Sequence, residues 1–124
     1  MKFVYADGTI PREYDGNEIA TMQNIYASGN SSSTAQAINL SNNLSVAVCT
    51  RIDSSNYGVR LPVSGHVVPG MVAEIYASGG DITVFLDSVV GSPVFFDGAT
   101  SVTVVSGTGK RFRFLPSFIW ALIG

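Results

Sequence analysis

The stretch Met71–Asp87 constrains the fold more than any other part of the chain, because two alternating apolar runs flank a pair of glycines. Every second residue before the glycines is apolar, and the alternation resumes from Ile82 to Leu86. Strand residues alternate between two faces, and Gly79-Gly80 supplies the positive φ angles that a tight turn needs. The pattern predicts a β-hairpin, against which the rest of the chain supplies further strands to pack.

Short alternating runs separated by turn residues continue through residues 34–124. Turn signals such as Asp53–Asn56, Asp97-Gly98 and Ser106–Gly109 recur about every 8–12 residues, a spacing typical of a sandwich or barrel rather than of β-α-β units. We therefore predict an all-β domain over residues 34–124, folded as an antiparallel β-sandwich or a jelly-roll-like domain. The predicted core residues on its strands are Val46, Val48, Ile75, Val84, Phe112 and Trp120.

Residues 1–33 differ from the rest and are predicted to form an N-terminal arm or linker. The first 34 residues hold four acidic and two basic residues, whereas the remainder holds five of each, so the whole negative excess lies at the N-terminus. Asn17–Tyr26 has the spacing of one or two helical turns, and a polar run follows it. Two interpretations stay open here. The segment is either a loosely attached arm or first edge strand, or a docking arm that orders on a partner.

Composition excludes several classes of function. The chain has 124 residues, enough for one domain that buries roughly two-thirds of its unfolded surface. A net charge of −2 without a basic stripe is unsuited to nucleic acid, and no apolar run approaches the ~20 residues of a membrane helix. No secretion signal is visible, so we expect synthesis in the cytoplasm. The positive mean hydropathy of +0.30 indicates apolar surface buried between subunits.

The chemically versatile residues do not form a recognisable reactive site. His66 stands alone in a loop, and Cys49 lies within an alternating strand, where a buried small residue is expected rather than a nucleophile. Lys110, Arg111 and Arg113 alternate with phenylalanines, so charges and aromatic rings point to opposite faces, as on a strand with one buried side. The acidic residues fall at predicted strand ends or outward faces: Glu74, Asp81, Asp87 and Asp97. We predict no catalytic, cofactor or metal site, and hence no enzyme.

One short sequence, IYASG, occurs twice, at Ile25–Gly29 and at Ile75–Gly79. A tandem repeat continues beyond its motif, but the residues that follow the two copies diverge at once. The sequence therefore favours coincidence over an internal duplication.

The order of strands and turns resembles that of the small β-domains of tailed-bacteriophage virion proteins, which include capsid decoration (cement) proteins and the head domains of fibres. The resemblance covers roughly residues 34–124 and rests on a pattern rather than on a catalytic signature. Its parts are LP at 61–62, PGM at 69–71, DITVF at 81–85, FDGA at 96–99, SVTV at 101–104, RFRF at 111–114 and the terminal FIWALI at 118–123.

This resemblance implies a β-sandwich or jelly-roll-like homotrimer that binds the major capsid protein and stabilises the assembled shell. The protein would then be made in the host cytoplasm and reside in the virion. The alternative that the resemblance leaves open is a head-fibre or tail-fibre tip that binds a host receptor or glycan, for which Asn56, Tyr57 and Tyr76 are candidate contacts. An N-terminal arm often contacts the capsid in such proteins, which implies these docking residues: Phe3, Tyr5, Ile10, Tyr14, Ile19 and Met22.

Overall fold

The computed structural model describes residues 21–40, 45–65, 67–88 and 91–124, and within these ranges the chain forms nine β-strands and no helix. The strands are β1 Thr21–Tyr26, β2 Gln36–Ala37, β3 Ser45–Thr50, β4 Gly58–Leu61, β5 Val72–Ser78, β6 Ile82–Leu86, β7 Ser101–Val104, β8 Gly109–Phe114 and β9 Trp120–Leu122. The all-β class is thus as predicted.

The strands form two sheets, and both sheets are mixed rather than antiparallel. A five-stranded sheet has the order β1-β3-β5-β8-β9, and a four-stranded sheet has the order β2-β4-β6-β7. The first three strands of each sheet are parallel, and the remaining strands pair in the antiparallel sense. The expectation of a wholly antiparallel domain is therefore wrong.

Parallel pairing is possible because the chain changes sheet after each of its first five strands. Thr21 pairs with Ser45 and Ser45 with Ala73, so equivalent positions lie 24 and then 28 residues apart. Parallel neighbours need a connection of roughly a dozen residues or more, which is usually a helix. Here each connection contains a strand of the opposite sheet. The strands β1 to β6 therefore form three turns of a coil, and each turn contributes one strand to each sheet. The antiparallel strands β7, β8 and β9 follow the last turn.

The predicted hairpin at Met71–Asp87 is consequently an arch between the sheets. Its strands β5 and β6 belong to different sheets and do not pair with each other. Gly79 and Gly80 adopt the positive φ values of 79° and 151° that the turn requires. Alternation and a glycine turn are features that a hairpin and an arch share, so the sequence pattern could not distinguish them.

Arg51 fastens this arch to the preceding one. Its amide donates to the Ser78 carbonyl at 2.8 Å, and its side chain donates to the carbonyl oxygens of Asp53 and Asp81 at 3.1 and 3.2 Å. The guanidinium group also lies 5.4 Å from the centre of the Tyr57 ring. One side chain therefore joins two successive connections by satisfying backbone carbonyls that neither sheet uses.

Both sheets contribute to one hydrophobic core. Four residues predicted to lie there, Ile75, Val84, Phe112 and Trp120, are fully buried. The indole of Trp120 donates from Nε1 to the carbonyl oxygen of Pro62 at 2.8 Å, which satisfies its only polar group. The core is thus large and aromatic at β8 and β9.

Val46 and Val48 do not belong to this core, and their assignment is corrected. The inward residues of β3 are Ser45, Ala47 and Cys49, whereas the two valines are half-buried on the outer face of the sheet. A strand with apolar residues on both faces gives no signal of which face is buried, and a shift of one position exchanges the faces. The larger side chains suggested the wrong face because β3 lies where the core is filled by small residues.

The β-structure begins before residue 34, the predicted start of the domain. β1 is a strand that pairs with β3 along its whole length, so the helical turns expected for Asn17–Tyr26 are absent from its described part. Ala27 is completely buried in the common core. Residues 21–33 therefore belong to the β-domain rather than to an arm, and residues 1–20 lie outside the described part of the chain.

The two copies of IYASG have the same local structure. In both, the isoleucine faces inward, the tyrosine is exposed, and the glycine has a positive φ, 71° at Gly29 and 79° at Gly79. Each copy thus ends a strand and begins an arch. The copies are not in register, because Ile25 pairs with Cys49 and Cys49 with Ala77, two residues beyond Ile75.

Replacing Gly79 by alanine tests the close contact between Arg51 and the arch that joins β5 to β6. A Cβ at this position would lie 2.9 Å from the carbonyl oxygen of Arg51, whereas one at Gly107, with a similar φ of 82°, would meet nothing within 4 Å. Both substitutions force an L-residue into the left-handed region, at a cost of about 1–2 kcal/mol. We expect Gly79→Ala to lower the free energy of unfolding by at least ~1 kcal/mol more than Gly107→Ala in urea titrations. Equal losses would contradict this packing.

Candidate interaction surfaces

The described acidic side chains mainly stabilise turns. Asp53 accepts hydrogen bonds from the amide and hydroxyl of Ser55, both at 2.8 Å, and from the Asn56 amide group. These bonds hold the pKa of the Asp53 carboxyl below its usual range. Asp81 and Asp97 each accept from a backbone amide of a nearby turn, at 2.9 and 3.0 Å. Such contacts account for carboxylates in turns without any chemical role.

Reactive and metal-binding groups are similarly sparse. Across the described ranges, no three His, Cys, Asp or Glu side chains are close enough to hold a metal ion. Burial raises the pKa of the Cys49 thiol to about 12, so the thiol stays protonated and unreactive at neutral pH. His66 lies outside the described residues. The same ranges contain no helix that could cross a membrane.

The basic cluster on β8 occupies one face of a strand. Arg111 and Arg113 are exposed, while Phe112 and Phe114 are buried in the core. The opposite orientation of charges and rings is as predicted. No aromatic residue of β8 is therefore available to stack on a ligand beside these arginines.

The residues considered for a glycan site do not come together. The amide of Asn56 donates to the Asp53 carboxylate, and the ring of Tyr57 lies against Arg51 in the connection between β3 and β4. Tyr76 instead lies on the outer face of β5, where its hydroxyl donates to Glu74 Oε1 at 3.0 Å. This hydrogen bond raises the pKa of the tyrosine hydroxyl.

Two exposed phenylalanine rings lie on or beside β9, and together with the exposed Leu122 we call them the terminal patch: Phe96, Phe118 and Leu122. The phenylalanine side chains are 67% and 61% exposed. The backbone amide of Phe96 donates to the Trp120 carbonyl at 2.9 Å, which places Phe96 along the free side of this edge strand. Exposed apolar side chains along one edge of a sheet are typical of a contact surface.

Phe118 in the terminal patch also has an unusual backbone. Its φ of 65° is the only positive value among the described non-glycine residues. A bulky residue rarely adopts this conformation, and such outliers concentrate at functional positions. The ring makes one edge-on contact with Phe114, at a centroid distance of 6.0 Å, yet most of it remains exposed. The turn therefore exposes an apolar ring, although its backbone conformation costs free energy.

A second apolar surface lies on the same five-stranded sheet, away from the core, on the strands β1, β3 and β5. Tyr26 is 69% exposed there, Val48 pairs with Tyr76 across β3 and β5, and Val46 lies on the same face two residues before Val48. We call these four residues the outer face. β1 and β9 are the two edges of the five-stranded sheet, so the terminal patch and the outer face lie toward opposite edges.

The alternation of Phe118, Trp120 and Leu122 predicts that all three close the core on the last strand, but only Trp120 is buried, so the prediction is wrong for Phe118 and Leu122. The exposure of Phe96 was not predicted either. Phe96 precedes the Asp97-Gly98 turn and Phe118 follows Pro116-Ser117, positions where a large apolar residue is exposed by the turn itself. Of the predicted docking residues, Met22 lies in β1 by its backbone. The others lie outside the described residues: Phe3, Tyr5, Ile10, Tyr14 and Ile19.

No family model matches the sequence, and comparisons with curated proteins and with solved structures find no significant similarity. Inference about function therefore depends on the surfaces described above.

The state of Cys49 gives a pH-dependent prediction. The thiol has a reference pKa of 9.0 and a pKa of about 12 in the folded chain, so the unfolded state loses its proton first as the pH rises. The contribution of the protonated thiol is complete below pH 9 and is lost between pH 9 and about 12. We expect the unfolding free energy of the wild type to fall more steeply over this range than that of Cys49→Ala. Parallel curves from urea titrations would contradict the burial of the thiol.

Proposed function

We propose that this chain is a structural protein of a virion, a capsid decoration protein that binds the assembled shell as a homotrimer. The observation that carries the proposal is the terminal patch, where two phenylalanine rings are exposed and one stands on a strained backbone. An exposed apolar patch of this kind suits contact between proteins. The polar and charged side chains described here have roles within turns and strands, which favours a binding role over a catalytic one.

The positions of the two apolar surfaces suit a closed ring of copies. In a cyclic trimer each interface joins two different surfaces, one from each neighbour. The terminal patch and the outer face lie toward opposite edges of one sheet, so the patch of one copy can contact the outer face of the next. Three such contacts would remove the exposed rings of Phe96, Phe118 and Tyr26 from water.

The capsid contact is proposed for the N-terminal residues, which lead directly into β1 at one edge of the sheet. Two sheets around one core fit the sandwich architecture that the resemblance to virion proteins implies, although the parallel strands depart from its antiparallel form. A protein that binds only the assembled shell stabilises it by the free energy of binding, and three linked copies increase the effect through avidity.

The alternative of a fibre tip that binds a host receptor has less support. Its candidate residues Asn56, Tyr57 and Tyr76 are engaged in separate local contacts. The two functions differ in the partner. A decoration protein binds expanded capsids and leaves host cells unbound, and a fibre tip does the reverse.

Deletion of residues 1–20 tests the docking role. These residues precede β1, so we expect the truncated chain to keep the β-domain and the thermal unfolding transition of the full chain. We expect it to lose co-sedimentation with expanded capsids of the virus that encodes it, because every proposed docking side chain except that of Met22 is removed. A full-length variant with Arg113→Ala, exposed on β8, serves as a control that should bind normally.

Binding of the truncated chain at full-length affinity would contradict the docking role. Binding of the full chain to host cells but not to capsids would contradict the decoration function and favour the fibre tip.

A further inference from the structure

We propose that a cleft on the outside of the four-stranded sheet binds a neutral saccharide. The cleft has a volume of about 290 Å³ and lies between three parts of the chain: residues 27–35, which join β1 to β2 and which we call the first arch, the strand β6, and the segment that precedes β7. Its lining residues are Asn30, Ser31, Ser32, Phe85, Ser92, Pro93, Val94 and Thr100. It shares no residue with the terminal patch or the outer face, so it does not depend on the proposed trimer or on the virion assignment.

An aromatic ring supplies one wall of the cleft. Phe85 is half-buried on the side of β6 opposite to the core residues Val84 and Leu86. The ring lies over Gly58 of the neighbouring strand, where a Cβ would come within 3.1 Å of it. The face of an aromatic ring carries negative charge density and attracts the weakly positive C–H groups of a sugar ring. The absence of a side chain at Gly58 therefore lets the ring lie against the neighbouring strand, where it lines the cleft.

Polar side chains around this ring are available to a ligand. Asn30, Ser32, Ser92 and Thr100 make no side-chain hydrogen bond within the described part of the chain. Hydroxyl groups both donate and accept, and an amide group offers two donors and one acceptor. A sugar presents several hydroxyl groups of the same dual character. An apolar surface with a few surrounding polar groups is the arrangement that small-molecule sites generally show.

The charges near the cleft favour a neutral sugar over an acidic one or a phosphate. None of the lining residues that the structure describes is charged. The nearest charged side chain by strand register is Arg60, opposite Phe85, and its guanidinium already donates from Nη1 to the Ser33 carbonyl at 2.9 Å. Its Nε also lies 4.0 Å from the Asp87 carboxylate, which offsets its charge. An anionic ligand would therefore lose its hydration and meet only a cation whose charge Asp87 already partly offsets.

The first arch is fixed before any ligand binds. The amide of Ser28 donates to the Gly58 carbonyl at 3.1 Å, and the amide of Ser88 donates to the Ser32 carbonyl at 3.3 Å. Within the arch, the amide of Ala35 donates to the Ser31 carbonyl at 2.9 Å. A wall held by backbone hydrogen bonds loses little conformational entropy on binding, which favours affinity.

Nuclear magnetic resonance titration of the full chain tests the proposal. The probes are three neutral sugars, glucose, galactose and N-acetylglucosamine, and two acidic ones, glucuronic acid and N-acetylneuraminic acid. We expect at least one neutral sugar to shift the amide resonances of the cleft residues with a millimolar dissociation constant, and the acidic sugars to bind more weakly. Shifts confined to other residues, equal or tighter binding of acidic sugars, or no shift with any neutral sugar would overturn the proposal.

Substitutions assign the binding to the cleft. Phe85→Leu keeps an apolar side chain but removes the ring, and we expect about tenfold weaker binding, which corresponds to ~1.4 kcal/mol. Thr100→Val removes a hydroxyl group at the rim and should also weaken binding. Thr103→Val, at an exposed position of β7 that does not line the cleft, is the matched control and should bind as the wild type does. Unchanged affinity in both cleft variants, with native spectra, would overturn the assignment.

Discussion

The structure depends on the connections that carry the chain from one sheet to the other. Arg51 is the clearest example, because its main chain and side chain together bond to Ser78, Asp53 and Asp81. Both connections are exposed, so their carbonyl oxygens would otherwise bond to water, and the guanidinium group, which has five donors, instead joins several of them. Because these connections are fixed, each strand lies beside the equivalent strand of the preceding turn. The two strands pair in parallel although no helix connects them.

This winding determines which side chains reach the interior. The inward positions of β3 and the facing register of β5 hold small residues, including Ala47, Cys49, Ala73 and Ala77. The aromatic part of the core comes instead from β8, β9 and Phe95, where Phe95 and Phe112 lie 5.7 Å apart and Phe114 and Trp120 lie 5.1 Å apart. Because the small residues occupy the interior of β3, its valines lie outside, and the chain is left with apolar side chains on its surface.

The sequence predicted strands, turns and part of the core well, because these features depend on neighbouring residues. Ile75 and Val84 alternate with polar or exposed positions, so their burial could be inferred locally. The arrangement of strands could not be inferred in this way. Whether Gly79-Gly80 forms a hairpin or an arch depends on the pairing of β5 with β3 and of β6 with β4, which lie far away in sequence. The inward face of β3 depends on its neighbours β1 and β5. The terminal patch was missed because the exposure of Phe118 depends on a positive φ that alternation does not encode.

The proposal that exposed apolar surface joins copies of the chain is tested most directly by its molar mass in solution. Light scattering should be measured on the full chain and on Phe118→Asn, since asparagine tolerates the left-handed conformation and replaces the exposed ring by a polar group. The account predicts a mass of about three times 13.1 kDa for the wild type and a shift toward 13.1 kDa for the variant. A wild-type mass of 13.1 kDa at all concentrations would contradict it.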